Sequence, residues 1–150
     1  MADRRMNQEE IMQVIPHRPP FLLIDEVVAM EVGVSVQAKR TIRADDFWFQ
    51  GHAPVTPGVL IVEMLAQAGA VCLLSQPELS GKLSLFGGID KANFYRAVVP
   101  GDQLDLFVKV RLKKGTIGIA AAEAFVGKER AVSCEICFVV VDPTESKPSV

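Results

Sequence analysis

The stretch PGVLIVEMLAQAGAVCLL, residues 57–74, decides the fold. Glu63 and Gln67 are its only polar side chains, so the pattern predicts a helix over 57–75 that is buried on most sides. Thr56 is placed to act as the N-cap, and the proline after it suits a first helical position. The apolar run is too short, and its two polar residues too disruptive, for a membrane span.

Around this helix the chain alternates in the manner of a sheet. Strands are predicted at 21–29, 32–42, 83–87, 103–113, 117–126 and 131–141. In 103–113, one face is predicted to carry Leu104, Leu106, Val108, Val110 and Leu112, and the other Lys109, Arg111 and Lys113. Asn7 with Glu10 predicts a capping box that opens a short helix through residue 14. A sheet that wraps one long apolar helix is an α+β architecture.

Composition narrows the class of protein. The 150 residues are 49% hydrophobic and 23% charged, which is typical of a globular chain, and we expect one domain over 1–150 with flexible ends at 1–6 and 142–150. A net charge of -2 gives no overall basic field for nucleic acid or anionic membrane. The N-terminus has no apolar core typical of a secretory signal, so we expect a cytoplasmic protein.

The cysteines and histidines argue against a disulfide framework and a metal centre. Three cysteines, Cys72, Cys134 and Cys137, are an odd number, and the last two fall on opposite faces of a predicted strand. With only two histidines and no second C-x-x-C, no set of zinc ligands is complete. We expect structural thiols and no metal.

Glu63 is the strongest chemical signal. A carboxylate inside an apolar helix is costly to ionise, so it needs partners or a task. Gln67 lies four residues later on the same helical face, where its amide can orient Glu63. The alternative is a solvated polar stripe along the helix, but Glu63 and Gln67 span only one turn of it.

Two further features lie just before the helix. His52, in the loop 43–56, has the side chain that most often acts as a general base near neutral pH, although a loop histidine is commonly an ordinary surface residue. Gly58 lies at the helix N-terminus, where free N–H groups stabilise negative charge and no side chain blocks a carbonyl group. The same residues are equally compatible with a capped helix alone.

Four stretches, in order, resemble the FabZ-type 3-hydroxyacyl-[acyl-carrier-protein] dehydratases. They are IPHRPPFLLID at 15–25, FQGH at 49–52, PGVLIVEMLAQ at 57–67, and GIDKANF at 88–94 continuing into VVPGD at 98–102. The resemblance implies a hot-dog fold, a curved antiparallel sheet around a long central helix. It also implies homodimers, often with three dimers in a hexamer. The implied reaction is the dehydration of (3R)-hydroxyacyl-[acyl-carrier-protein] to trans-2-enoyl-[acyl-carrier-protein] in fatty acid biosynthesis.

The resemblance assigns roles residue by residue. His52 is the base or acid at the substrate Cα, Glu63 of the partner subunit handles the leaving hydroxyl, and the Gly58 N–H contacts the thioester carbonyl. No cofactor is implied, because phosphopantetheine arrives on the acyl carrier protein. Arg96, Lys109, Arg111 and Lys113 are candidates for docking that acidic partner. For the last three, a solvated strand face is the alternative.

One departure from the family pattern keeps other functions open. The family usually reads G-H-F-P-G-x-P-x-x-P-G, whereas this chain reads GHAPVTPG at 51–58, three residues shorter. Three extended residues span roughly 10 Å, so the path from His52 to the helix must differ. A thioesterase, in which a carboxylate activates water, and a non-catalytic acyl-binding homologue are the alternatives.

Overall fold

The computed structural model describes residues 4–144. Its helices are α1 (Gln8–Met12) and α2 (Gly58–Leu74), with short 3-10 turns at Phe47–Phe49 and Pro77–Leu79. Its strands are β1 (Glu26–Glu31), β2 (Ser35–Thr41), β3 (Leu83–Phe94), β4 (Gln103–Lys114), β5 (Ile117–Val126) and β6 (Glu129–Val141). The capping box predicted for α1 is present, with both hydrogen bonds between Asn7 and Glu10 formed.

The six strands form one antiparallel sheet around α2. Their order is β1-β2-β4-β5-β6-β3, and α2 contacts all six strands. Thirteen of the seventeen residues of α2 are buried, as expected for a central helix. Gly69 allows the close approach, because a Cβ there would lie 2.6 Å from Cζ of Phe138 on β6. The predicted α+β architecture, a curved sheet wrapped around one long helix, is confirmed.

Strand β1 begins five residues later than the predicted strand 21–29. In residues 21–25, two backbone groups that could pair in a sheet hydrogen-bond to a side chain of α2 instead. The amide of Gln67 accepts from the Leu23 N–H at 2.8 Å and donates to the Phe21 carbonyl at 2.9 Å. The segment is thereby fixed against the helix instead of in the sheet.

Strand β3 is longer than the predicted 83–87. Its pairing with β6 shifts register between Phe86 and Gly88, and again between Asp90 and Asn93, and the strand continues through both shifts to Phe94. Apart from residues 83 and 84, the strand is exposed along its length. It is also an edge strand of the sheet that residues 4–144 form.

The predicted faces of β4 are wrong at its far end. The pairing with β5 shifts register between Val110 and Leu112, which places two residues of β4 where one is expected and reverses the alternation. Leu112 is therefore 55% exposed instead of buried. Lys113 turns the other way, and its Nζ donates to the side-chain oxygen of Gln76, which is buried.

Two local expectations are corrected near the chain start and the start of α2. Met6, expected in a flexible end, is buried and exchanges two 3.0 Å backbone hydrogen bonds with Val27. Thr56 is not the N-cap of α2. Pro57 holds that position without a side-chain cap, and the Thr56 hydroxyl instead accepts from the Trp48 indole at 3.3 Å. Residues 1–3 and most of the predicted flexible tail, 145–150, lie outside the described residues.

Candidate active site

Glu63 lines an apolar cavity of about 280 Å³ between α2, the segment before β1, and the sheet. Its side chain is 18% exposed, so the carboxyl is largely withdrawn from solvent yet open to the cavity. The cavity is lined by His17, Phe21, Glu63, Ala66, Gln67, Ala70, Ser84, Leu85, Phe86 and Phe138. The carboxyl is partly buried beside an apolar cavity, which is closer to the predicted buried group than to a solvated stripe.

Gln67 orients the Glu63 carboxyl. Its Nε2 lies 2.9 Å from Glu63 Oε2 and donates to it, as the four-residue spacing predicted. Gln67 is itself only 1% exposed, and its other two hydrogen bonds hold it to the backbone at Phe21 and Leu23. Glu63 is thus held by a side chain that cannot easily move.

His17 also lies in the site, although the sequence placed it only in a stretch, 17–21, that could line an entrance or form a turn fixed by prolines. Its Nε2 lies 3.5 Å from Glu63 Oε2, and its ring stacks on that of Phe21 with a centroid separation of 6.4 Å. No periodic pattern connects residues 46 positions apart. The available signal was that His17 is one of two histidines and lies in the stretch 15–25 that resembles the family.

His52 does not reach Glu63 within one chain. It is exposed, it is absent from the lining of the Glu63 cavity, and its Nδ1 lies 2.9 Å from the carbonyl of Ala53. The loop that carries it is closed by the Trp48–Thr56 hydrogen bond, and the Thr56 N–H donates to the Val98 carbonyl at 2.7 Å. The ends of the shortened loop are therefore fixed while His52 lies at its exposed tip.

Gly58 opens a second cavity, of about 480 Å³, at the N-terminus of α2. Arg96 also lines this cavity, together with Phe94 and Tyr95. A Cβ on residue 58 would lie 2.5 Å from Cε1 of Phe94, so glycine is required for the ring to cover the helix start. Dipole and free N–H groups at such a terminus favour a developing negative charge.

Two of the four basic residues proposed for docking, Arg96 and Arg111, lie in ion pairs. Arg96 lies 3.3 Å from Asp102 and 3.5 Å from Glu129, and Arg111 lies 3.7 Å from Glu135. Lys109 is exposed on β4, whereas Lys113 faces the opposite way because of the bulge. The expectation that Lys109, Arg111 and Lys113 share one face is therefore wrong.

The three thiols are free, and Cys134 and Cys137 lie on opposite faces of β6 as predicted. Burial raises the pKa of Cys134 to about 11 and raises the pKa of Cys72 as well. Such thiols are poor nucleophiles at neutral pH. Within residues 4–144, no three acidic, histidine or cysteine side chains are grouped in a way that would hold a metal ion. In the same range, no helix has both the length and the apolar character needed to cross a bilayer.

Comparison with known proteins gives consistent matches over most of the chain. Residues 15–135 match the family model described as a FabA-like domain. The 3-hydroxyacyl-[acyl-carrier-protein] dehydratase FabZ of Clostridium kluyveri is 48% identical over 137 residues, which cover 89% of this chain and 95% of the relative. The FabZ protein of Staphylococcus aureus is 50% identical over 136 residues, which cover 89% and 93%.

Solved structures share the fold at low sequence identity. The dehydratase heterocomplex ApeI:P of Xenorhabdus doucetiae contains a chain with a TM-score of 0.77 and 21% identity, covering 90% of this chain and 93% of that one. A thioesterase superfamily member of Thermus thermophilus has a TM-score of 0.63 and 16% identity, covering 77% and 87%. These likenesses concern the fold alone, which is the hot-dog fold.

Proposed function

Because this chain belongs to the FabA-like family and is about half identical to FabZ proteins, we propose that it dehydrates (3R)-hydroxyacyl-[acyl-carrier-protein] to trans-2-enoyl-[acyl-carrier-protein]. The reaction belongs to fatty acid biosynthesis, and the enzyme is a hydro-lyase. The observation that carries the proposal is the Glu63 carboxyl, held by Gln67 at the wall of an apolar cavity. An acyl chain needs an apolar cavity, and a leaving hydroxyl needs a proton donor beside it.

Each active site takes His52 from one subunit and Glu63 from its partner. Within one chain His52 lies on an exposed loop, away from the cavity wall that holds Glu63. Edge strand β3 supports the dimer, because Leu85, Phe86 and Ile89 are each between 42% and 50% exposed on it. A long, apolar edge strand is a ready template for pairing with a second copy.

The elimination uses three groups. His52 removes the proton from the substrate Cα. The electron pair of the broken Cα–H bond forms the Cα–Cβ double bond while the Cβ–O bond breaks. Glu63 gives its proton to the leaving hydroxyl, which departs as water. The N–H groups at Gly58 stabilise the negative charge that develops on the thioester oxygen. The proton on His52 then returns to Glu63 through solvent, which closes the cycle.

The substrate brings its own prosthetic arm. Phosphopantetheine is attached to the acyl carrier protein, and the three groups above complete the reaction without a further cofactor. Arg96 is the best placed of the basic residues for docking an acidic carrier, since it lines the cavity at Gly58. The enzyme acts in the cytoplasm as a homodimer or as a hexamer built from dimers.

Hydration of a crotonyl thioester tests whether the chain is active with its shortened His52 loop. The substrate of choice is a crotonyl thioester, because its hydration removes the ultraviolet absorbance of the enoyl group. We expect turnover by the chain as written, and loss of turnover in H52A and E63A. A matched variant with three residues restored after His52 measures the effect of loop length. Hydration removes the enoyl band without releasing thiol, whereas hydrolysis of the thioester removes the same band and releases a free thiol. Thiol release that accompanies the loss of absorbance would therefore indicate a thioesterase, and no turnover by either version would refute the dehydratase.

A further inference from the structure

The contacts of Glu63 are all on one of its two oxygens. Gln67 Nε2 donates to Oε2 at 2.9 Å, and His17 Nε2 lies 3.5 Å from the same atom. Within residues 4–144, Oε1 makes no hydrogen bond, and the cavity lining holds no ionisable side chain other than His17 and Glu63. The two oxygens of the carboxyl are therefore in different surroundings.

The surroundings of the His17 ring select one tautomer. Its Nδ1 is buried, with no hydrogen-bond partner among the described residues. A proton on Nδ1 would be a buried donor without an acceptor, and the bare Nε2 would then face a carboxylate oxygen. A proton on Nε2 alone avoids both costs. The neutral ring with Nε2–H is thus the form that fits, and it directs its donor at Oε2.

We propose that His17 is a positioning residue, which acts with Gln67 to occupy Oε2 and so confines the acidic proton of Glu63 to Oε1. Two donors at Oε2 exclude a proton there, and Oε1 is the atom left for the substrate hydroxyl. The distance of 3.5 Å is that of an unliganded site, where catalytic hydrogen bonds are commonly long. The inference rests on the proposed dehydration and assigns a role to a histidine that the elimination itself does not use.

The role predicts which kinetic constant changes. Proton delivery to the leaving hydroxyl is an interaction of the transition state, whereas substrate binding is carried mainly by the acyl chain and the pantetheine arm. Loss of His17 should therefore lower kcat and leave KM nearly unchanged. Gln67 still holds Glu63, so we expect a loss of about tenfold, smaller than the roughly hundredfold of a fully misplaced group.

Two matched variants separate donation from packing. H17F keeps a ring to stack on Phe21 but has no donor, and H17Q has no ring but keeps an amide donor within reach of Oε2. We expect H17F to lower kcat about tenfold and H17Q to stay within about threefold of the wild type. A purely structural role predicts the reverse order, because the ring would be the part that matters. H17F with unchanged kcat, or a loss in H17Q equal to that in H17F, would overturn the inference.

A second measurement does not depend on turnover. The chain has only two histidines, so ¹⁵N-histidine NMR of the wild-type protein resolves both rings, and an H52A spectrum assigns them. We expect the Nε2–H tautomer for His17, and a change in the chemical shift of Nε2 when Glu63 is changed to Ala, because that change removes its acceptor. An Nδ1–H tautomer, an averaged mixture, or an Nε2 chemical shift that E63A leaves unchanged refutes the role. Wild-type protein without dehydratase activity refutes the proposed function instead, and the tautomer still decides the contact.

Discussion

Replacing Gln67 with Leu should both destabilise the fold and impair the site. Leucine is similar in size and suits the apolar helix, so the change removes hydrogen bonds without opening a large cavity. Gln67 makes three of them, to the Leu23 N–H, the Phe21 carbonyl and Glu63 Oε2, at 2.8 to 2.9 Å. In Q67L the Leu23 N–H becomes a buried donor without a partner.

The magnitude follows from the two orphaned backbone groups. A buried unpaired group costs about 1–3 kcal/mol, and Leu23 is fully buried whereas Phe21 is 42% exposed. We therefore expect a loss of about 3 kcal/mol in the free energy of unfolding. For a chain of this size that corresponds to a fall in Tm of roughly 6–12 °C. Release of Glu63 should also lower kcat by on the order of a hundredfold.

Thermal unfolding and crotonyl thioester hydration measure the two effects. Q103L is the matched control, because Gln103 is exposed and its side chain makes one long bond, of 3.5 Å, to Thr41. We expect the control to change stability by less than about 0.5 kcal/mol. A Tm of Q67L within about 2 °C of the Tm of the control would refute the claim that Gln67 anchors residues 21–25. Unchanged kcat would refute its hold on Glu63.

Three other changes test separate parts of the structure. G58A places a Cβ 2.5 Å from Phe94, whose exposed ring can move aside, so we expect little change in Tm. The displaced ring and the added Cβ alter the site at the helix N-terminus, so kcat/KM in the hydration assay should fall on the order of tenfold. T56V removes the acceptor of the buried Trp48 indole N–H and should lower the free energy of unfolding, measured in urea, by about 1–3 kcal/mol, whereas T56S should be near wild type. Equal stabilities of T56V and T56S would show that this hydrogen bond does not fix the His52 loop. Burial raises the pKa of Cys134 from 9.0 to about 11, so above pH 9 the unfolded thiol releases its proton first and stability falls up to about pH 11. C134A should lose less stability than wild type over that window, and an identical decline in both would show that Cys134 does not contribute.

The sequence predicted what depends on local periodicity. The apolar run around Glu63 indicated a central helix, and strand β5 has the predicted bounds because small apolar residues alternate along it. The spacing of Glu63 and Gln67 also predicted their hydrogen bond, since four residues separate neighbours on one helical face.

The errors concern features that distant parts of the chain determine. Residues 21–25 have an apolar pattern typical of a strand, but a side chain 44 residues away from Leu23 pairs with two of their backbone groups. Leu112 follows the alternation in sequence, and only the bulge in the pairing with β5 exposes it. His17 reaches Glu63 for the same reason that residues 21–25 are not a strand, because that segment lies against α2.

The division of one active site between two subunits is tested most directly by mixing two inactive variants. H52A lacks the base and E63A lacks the acid, so each homodimer should be inactive in crotonyl thioester hydration. Coexpression at equal levels gives mixed dimers in which one of the two sites has both residues intact, and we expect activity to return to about a quarter of the wild-type value. Activity that stays at the level of the single variants would contradict the shared site, as would a single variant that is active alone.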